Sequence, residues 1–286
     1  MAKKALLSFL AVLTFALPAF SQTATVTPTP TPTPAIFKTS SAEKHFIQHV
    51  IEDQEKIWTS PFRLRSHDTR WVLPIVIGTG ALFTTDRVTS DWVGQRGGLP
   101  GVSHKISWGG TAESTLGASA AFYLIGRATH NAKARETGVL ALEALIDTGI
   151  VTEALKLGTE RERPSAGYER SEFFEGGSSF PSGHSSSIWA LATVVAHEYH
   201  NDPYIKYGAY AAAVAVSMSR FSGRKHFLSD IVVGSAVGFA IGRFVYRERH
   251  DTDLDDPGPK TTTWSRPRFV PFYSRGTVGG SLVWQF

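Results

Sequence analysis

The chain contains no cysteine among its 286 residues. Disulfides, thiol chemistry and thiolate-ligated metals are therefore excluded. Charge is sparse, at 19% of residues, and the basic residues are dispersed with no aromatic-basic platform, which argues against a nucleic-acid partner. Strand signals are almost absent between residues 41 and 250. Long apolar runs are lacking too. Charge-free stretches such as Trp71 to Thr85 and Ile231 to Gly242 fall short of the roughly 20 residues a spanning helix needs. With a mean hydropathy of −0.08, this favours a soluble or peripheral domain over an integral one. The net charge of +4 suits an anionic substrate and peripheral contact with an anionic membrane surface.

What is present falls into four parts. Residues 1–21 carry Lys3 and Lys4, an apolar run from Ala5 to Phe20 and a small-x-small site at Ala19-Phe20-Ser21. This pattern predicts a signal peptide and an exported protein, periplasmic or secreted, with an uncleaved membrane anchor as the alternative. Residues 22–40 form a Thr/Pro-rich linker, extended and polyproline-like. Residues 41–250 have helical periodicity and predict an all-α helical bundle. A first helix would begin near Ser40 or Ser41 and bury Phe46, Ile47, Val50, Ile51, Ile57 and Trp58. Further helices are expected over Trp71–Thr85, Ser114–Arg127, Thr137–Lys156, Ser185–Tyr199, Tyr207–Phe221 and Ser229–Arg247. Residues 251–286 read as an acidic linker and an extended aromatic C-terminal tail. Asp251, Asp253 and Asp255 imitate a calcium loop, but Asp256 stands where such a loop needs glycine and Thr262 where it needs glutamate.

Three polar clusters interrupt the apolar helices. In the first, Lys156 and Arg163 are seven apart, two helical turns, so both would leave one helix face, with Pro164 as the stop. In the second, Ser182 and Gly183 follow Pro181 and precede an apolar run, so they predict a helix entry whose free N–H groups attract an anion. His184 follows at once. In the third, Arg220 is followed by His226 and Asp230. These last two are four apart, so the carboxylate could accept one imidazole N–H and leave the other nitrogen basic. Three cations, a backbone nest and two histidines suit a phosphate dianion. Each cation near 4 Å is worth about 4 kcal/mol at an effective dielectric of 20, and two histidines can serve as nucleophile and proton donor near neutral pH.

Lys-x6-Arg-Pro, Pro-Ser-Gly-His and Ser-Arg-x5-His-x3-Asp, in this order, resemble the three signature motifs of the type 2 phosphatidic acid phosphatase and vanadium haloperoxidase superfamily. The resemblance runs from about Trp71 to Tyr246, with a character nearest the soluble bacterial class A acid phosphatases. It implies a metal-independent phosphatase acting on phosphomonoesters or lipid phosphates. His226 would be the nucleophile forming a phosphohistidine, Asp230 its orienter, and His184 the acid for the leaving oxygen. Lys156, Arg163, Ser182, Gly183 and Arg220 would hold the phosphoryl oxygens. No metal or cofactor is implied for hydrolysis, and vanadate would inhibit.

Other readings share some of these residues. Vanadate fits the same cations and histidine, so a vanadate-dependent haloperoxidase is the alternative enzyme. A non-catalytic binder of anionic lipid would need the cations but neither histidine. His197-Glu198-Tyr199-His200 superficially imitates a zinc helix, yet its histidines are three apart rather than four. Asp86-Arg87 and residues 96–101 read as a loop that could rim the site. Tyr168, Phe173 and Phe174 could line a leaving-group pocket.

Overall fold

The computed structural model describes residues 43, 45–63, 66, 68–95, 100–165, 172–255, 268–274 and 277–283. The expected signal peptide, the Thr/Pro linker, residues 96–99, Tyr168, Asp256 and Thr262 lie outside them. The described helices are α1 (Phe46–Thr59), α2 (Thr69–Gln95), α3 (Pro100–Ser107), α4 (Ala112–Ala128), α5 (Ala132–Thr159), α6 (Gly183–Glu198), α7 (Pro203–Ser222) and α8 (Leu228–Arg249). The body is an all-α bundle, as its periodicity predicts.

Helix α6 is the axis of the bundle. It packs against α5, α7 and α8, and its Ala190, Val194 and Ala196 are almost wholly buried beside Leu140 and Ala144 of α5 and Val245 of α8. A sheath of neighbours explains why α6 is apolar nearly all round. Small residues let α8 come unusually close to it. Gly234, Gly238 and Gly242 repeat every four residues on one face of α8. A Cβ there would lie 2.5 Å from the Ser182 carbonyl oxygen, 2.1 Å from that of Ser186 and 2.7 Å from that of Ala190. Backbone-to-backbone contact along this seam sets the position of both helix N-termini, and both carry site residues.

Several expectations need correction. Helix α2 runs on to Gln95, so Asp86 and Arg87 are helical and not part of a loop. A buried carboxylate inside a helix is costly unless paired, and Asp86 is paired, with Arg161 Nη2 at 2.8 Å. Helix α1 has His45 at its N-cap and a narrower inner face than expected. Ile47 and Ile51 are exposed, whereas Asp53 is buried because Arg249 Nη2 meets its Oδ1 at 2.6 Å. The tail is not a single extended segment. Strands β1 (Arg268–Ser274) and β2 (Thr277–Val283) pair antiparallel, with Arg268 opposite Val283 and Ser274 opposite Thr277, so each satisfies backbone groups that one strand alone would leave open. Residues 251–255 are not a free linker either: Thr252–Leu254 is a 3₁₀ turn and the Asp251 amide donates to Glu136 Oε1 at 2.7 Å.

By length and composition one described helix, α8, could cross a membrane, although nearly half of its apolar window is packed inside the protein. The apolar surface lies elsewhere. Val72, Leu73, Ile75, Val76 and Ile77 of α2 are all exposed, and residues spaced this way point around most of the helix circumference.

Candidate active site

The three polar clusters meet at one end of the bundle, but not by the route their spacing suggests. Helix α5 stops at Thr159, and Glu160 takes a left-handed conformation at φ 44°, before Pro164 can act. Lys156 therefore lies in the last turn of α5, while Arg163 lies beyond the helix. The reversal at Glu160 brings Arg163 back. The charges of Lys156 and Arg163 both act on His184, together with those of Arg220 and His226.

A buried guanidinium, Arg161, holds the base of the site. It donates from Nη1 to Asp230 Oδ1 at 2.6 Å and to Ser229 Oγ at 2.7 Å, and from Nη2 to Asp86 Oδ2 at 2.8 Å. Its plane is enclosed by the rings of Phe83, Phe173 and Phe227, with centroids 5.1, 4.9 and 4.3 Å away. Phe173 thus covers an internal cation instead of lining a leaving-group pocket. Phe174 is exposed, at φ 67°. Asp86 also accepts the Ser229 amide at 3.2 Å and the Ser229 hydroxyl, a favourable place for a carboxylate at the N-terminus of α8.

The contact expected between His226 and Asp230 is indirect. Asp230 Oδ2 stands 3.7 Å from His226 Nδ1, too far for a hydrogen bond. The nearer partner of Nδ1 is the Ser179 carbonyl oxygen at 2.7 Å. Ser179 is fixed in turn. Its hydroxyl donates to Asp230 Oδ2 at 2.5 Å and its amide to the Arg161 carbonyl at 2.8 Å. Asp230 Oδ2 also accepts the Phe227 amide at 2.9 Å, which caps α8. A carbonyl cannot donate, so Nδ1 carries the proton and Nε2 is left with its lone pair. Arg161, Asp230 and Ser179 therefore set the tautomer and orientation of His226 as a relay.

Ser182 also departs from expectation. Its amide donates to the Asp230 carbonyl at 3.0 Å, and its hydroxyl accepts from Ser185 Oγ at 3.1 Å, so neither group is turned outward. Gly183 and His184 remain as the first-turn amides of α6 without intrahelical acceptors. A Cβ on Gly183 would lie 3.2 Å from Lys156 Nζ, so the missing side chain brings that cation against the mouth of the helix.

Electrostatics favour an anion strongly. Arg220 and Arg163 have no acidic partner among the described residues, and Arg220 Nε is buried without a hydrogen bond. Burial, then the neighbouring Arg163, pulls Arg220 down to about 10. Burial, then the neighbouring Arg220, His226, Lys156 and Arg163, push His184 down to about 4. His226 is lowered by burial, against the pull of Asp230. For Asp230 burial acts upward, but His226, Arg161 and Ser179 together hold its carboxyl below the usual range. Excess positive charge held in a partly dry site is relieved by a bound dianion. A cleft of about 350 Å³ opens from Lys156, Gly183 and His184 and runs along Leu116, Leu145, Ile146 and Gly149 between α4 and α5.

Residues 137–252 match the family model described as the PAP2 superfamily. Over that stretch the chain is similar to the PAP2 superfamily. Among curated relatives, 69 residues are 35% identical to a lipid A 1-phosphatase of Porphyromonas gingivalis, covering 24% of this chain and 16% of that protein. A further 172-residue alignment is 29% identical to a PA-phosphatase related-family protein of Dictyostelium discoideum, covering 54% of this chain and 61% of that one. The chain thus spans less than two thirds of either relative. Among solved structures, the transmembrane PAP2-type phosphatidylglycerolphosphate phosphatase of Bacillus subtilis superposes with a TM-score of 0.51 at 21% identity, over 63% of this chain and 95% of that one. That likeness shows a shared PAP2 fold.

Arg161, Asp86 and Ser179 escaped the sequence reading. Arg161 stands between two residues of the first cluster, but nothing in its spacing separates a buried arginine from a solvated one. Asp86 and Ser179 lie 75 and 18 residues from Arg161 in the chain and carry no motif of their own.

Proposed function

We propose that this protein is a PAP2-type phosphatase that hydrolyses lipid phosphates at a membrane surface through a phosphohistidine on His226. The observation that carries this is the Nδ1–H of His226 held on the Ser179 carbonyl, which leaves Nε2 free to attack beside three cations and a second imidazole. In the first step Nε2 bonds to phosphorus as the bond to the ester oxygen breaks. That oxygen takes a proton from His184, which binding of the phosphate dianion has raised from its low resting pKa. In the second step water attacks the phosphohistidine, gives its proton to His184 and releases inorganic phosphate. Lys156, Arg163, Arg220 and the amide of Gly183 hold the equatorial oxygens. No step calls on a metal.

The lipid assignment rests on two features. The cleft leading from His184 is lined by Leu116, Leu145 and Ile146, which suits an acyl portion. The exposed apolar stretch of α2 from Val72 to Ile77 suits insertion into the lipid phase beside it. The named relatives in P. gingivalis and B. subtilis are phosphatases of lipid substrates, which agrees.

The test uses the full chain in detergent micelles with radiolabelled phosphatidate and with p-nitrophenyl phosphate. Turnover in EDTA, inhibition by vanadate and acid-labile label retained on the wild type but not on His226→Ala are the expected results. Undiminished turnover by His226→Ala would refute the mechanism. Preference for p-nitrophenyl phosphate over phosphatidate in micelles would refute the lipid assignment alone.

A further inference from the structure

A second titratable cluster lies far from the phosphate site. Glu136 is 20 residues before Lys156 on α5, about 30 Å along the helix axis. At that end of the bundle Glu136 meets Glu198 at the last turn of α6 and His250 just past α8. Both glutamates are buried, at 1% and 0% exposure. One donor atom from each of the three residues lies within 4.8 Å of the other two.

The imidazole is presented in a particular way. His250 Nε2 is 2.9 Å from Asp255 Oδ2, and Nδ1 faces Glu198 Oε1 at 3.3 Å and Glu136 Oε1 at 3.6 Å. The Tyr246 ring stacks on it at 4.5 Å and 18°, which fixes its plane. With the proton on Nε2, a nitrogen lone pair points at two carboxylates. Their second oxygens, Glu136 Oε2 and Glu198 Oε2, are buried with no hydrogen-bond partner among the described residues. At the rim Lys133 Nζ lies 3.5 Å from Asp255 Oδ1. Dry, unmatched carboxylate oxygens are costly, and a divalent cation would remove the mismatch.

We propose that Glu136, Glu198 and His250 bind one divalent transition-metal ion, zinc by the chemistry of its donors, with Asp255 orienting the histidine. A tetrahedral site with bonds near 2.1 Å separates its ligands by about 3.4 Å; the gaps from Nδ1 are 3.3 and 3.6 Å, and all three donors lie within 4.8 Å of one another. The carboxylate on the remote imidazole nitrogen is the usual outer partner of a metal-bound histidine. The ion ties α5, α6 and the end of α8 together and takes no part in phosphoryl transfer. Glu198 belongs to the zinc-helix imitation in the sequence, but with other partners: His197 and His200 bond through Nδ1 to the carbonyls of Thr193 and His197.

The experiment is metal analysis of the full chain purified in detergent without chelator. It is followed by chelation and titration with zinc, and with cobalt as a coloured probe, while thermal unfolding is recorded. Expected are about one zinc per chain, tetrahedral cobalt bands, and a melting temperature that falls on chelation and recovers with zinc. Glu198→Gln and His250→Gln should lose the metal and the response to zinc, and Asp255→Asn should weaken affinity by roughly 10- to 100-fold. A wild-type chain with no stoichiometric metal and no thermal response to zinc would overturn the proposal, leaving His250 as an imidazolium paired with Glu198 and Asp255. Metal content is read independently of turnover, so failure of the phosphatase assignment would leave this result standing.

Discussion

Replacing Arg161 with methionine tests the framework of the site most sharply. The side chain is 1% exposed and its two ion-pair partners, Asp86 and Asp230, are fully buried. Methionine fills most of the volume among Phe83, Phe173 and Phe227 but leaves two dry carboxylates without their cation. Removing one partner of a buried pair costs about 3–5 kcal/mol. At roughly 2–4 °C per kcal/mol for a domain of this size, the melting temperature should fall by about 6–20 °C. Restoring neutrality should recover part of the loss, so the double variant Arg161→Met with Asp86→Asn should melt higher than Arg161→Met alone. The assay is thermal unfolding in detergent at neutral pH, with turnover measured below the transition. Turnover should also drop, because Asp230 and Ser179 lose the anchor that orients His226. A fall below about 2 °C, or a double variant no better than the single one, would refute the claim that this guanidinium neutralises the site's foundation.

Other outcomes follow from individual contacts. Gly238→Ala drives a Cβ to 2.1 Å from the Ser186 carbonyl and should cost about 1–3 kcal/mol, whereas Gly149→Ala, inside α5 with open space around it, should raise the denaturation midpoint because alanine is the better helix former; a comparable loss in both would contradict the tight seam between α6 and α8. Gly149→Trp fills the cleft and should depress turnover of phosphatidate at least tenfold while sparing p-nitrophenyl phosphate. A parallel loss of both would place the acyl portion elsewhere. Arg220→Met should raise the His184 pKa from about 4, because after burial Arg220 is the main influence holding it down; an imidazole NMR titration that shows no upward movement would remove the electrostatic account. Asp147 is raised to about 7, chiefly by burial. Its stabilising contribution is complete below the unfolded value of 3.8 and is lost as pH rises through 7. Asp147→Asn should therefore gain in melting temperature relative to wild type between pH 4 and 8, and parallel pH curves would exclude the effect.

Much of the site was legible because its chemistry is local in the chain. His226 and Asp230, Ser182 and Gly183, and the cations Lys156, Arg163 and Arg220 stand out by type and spacing, and the structure gathers them at one end of the bundle. The errors arose where a spacing was taken as a geometry. Lys156 and Arg163 do not share a helix face, because the left-handed turn at Glu160 ends α5 first. His226 and Asp230 do not bond directly, because the Ser179 carbonyl, at 2.7 Å against 3.7 Å, accepts the Nδ1 proton instead. Ser182 spends its polar groups on capping α6 and holding Asp230.

Helical periodicity, the absence of strand patterns and the order of three polar motifs were enough to establish an all-α bundle and the PAP2 signature. Tertiary structure alone decided which charges are buried and what pairs with them. Asp86, Arg161 and Asp230 form one ionic unit only after α2, the segment following α5 and α8 have packed together. Glu136, Glu198 and His250 likewise converge only at the far ends of three helices. Periodicity records which face of a helix is apolar, but the energy of a buried charge depends on neighbours that the chain brings from many residues away.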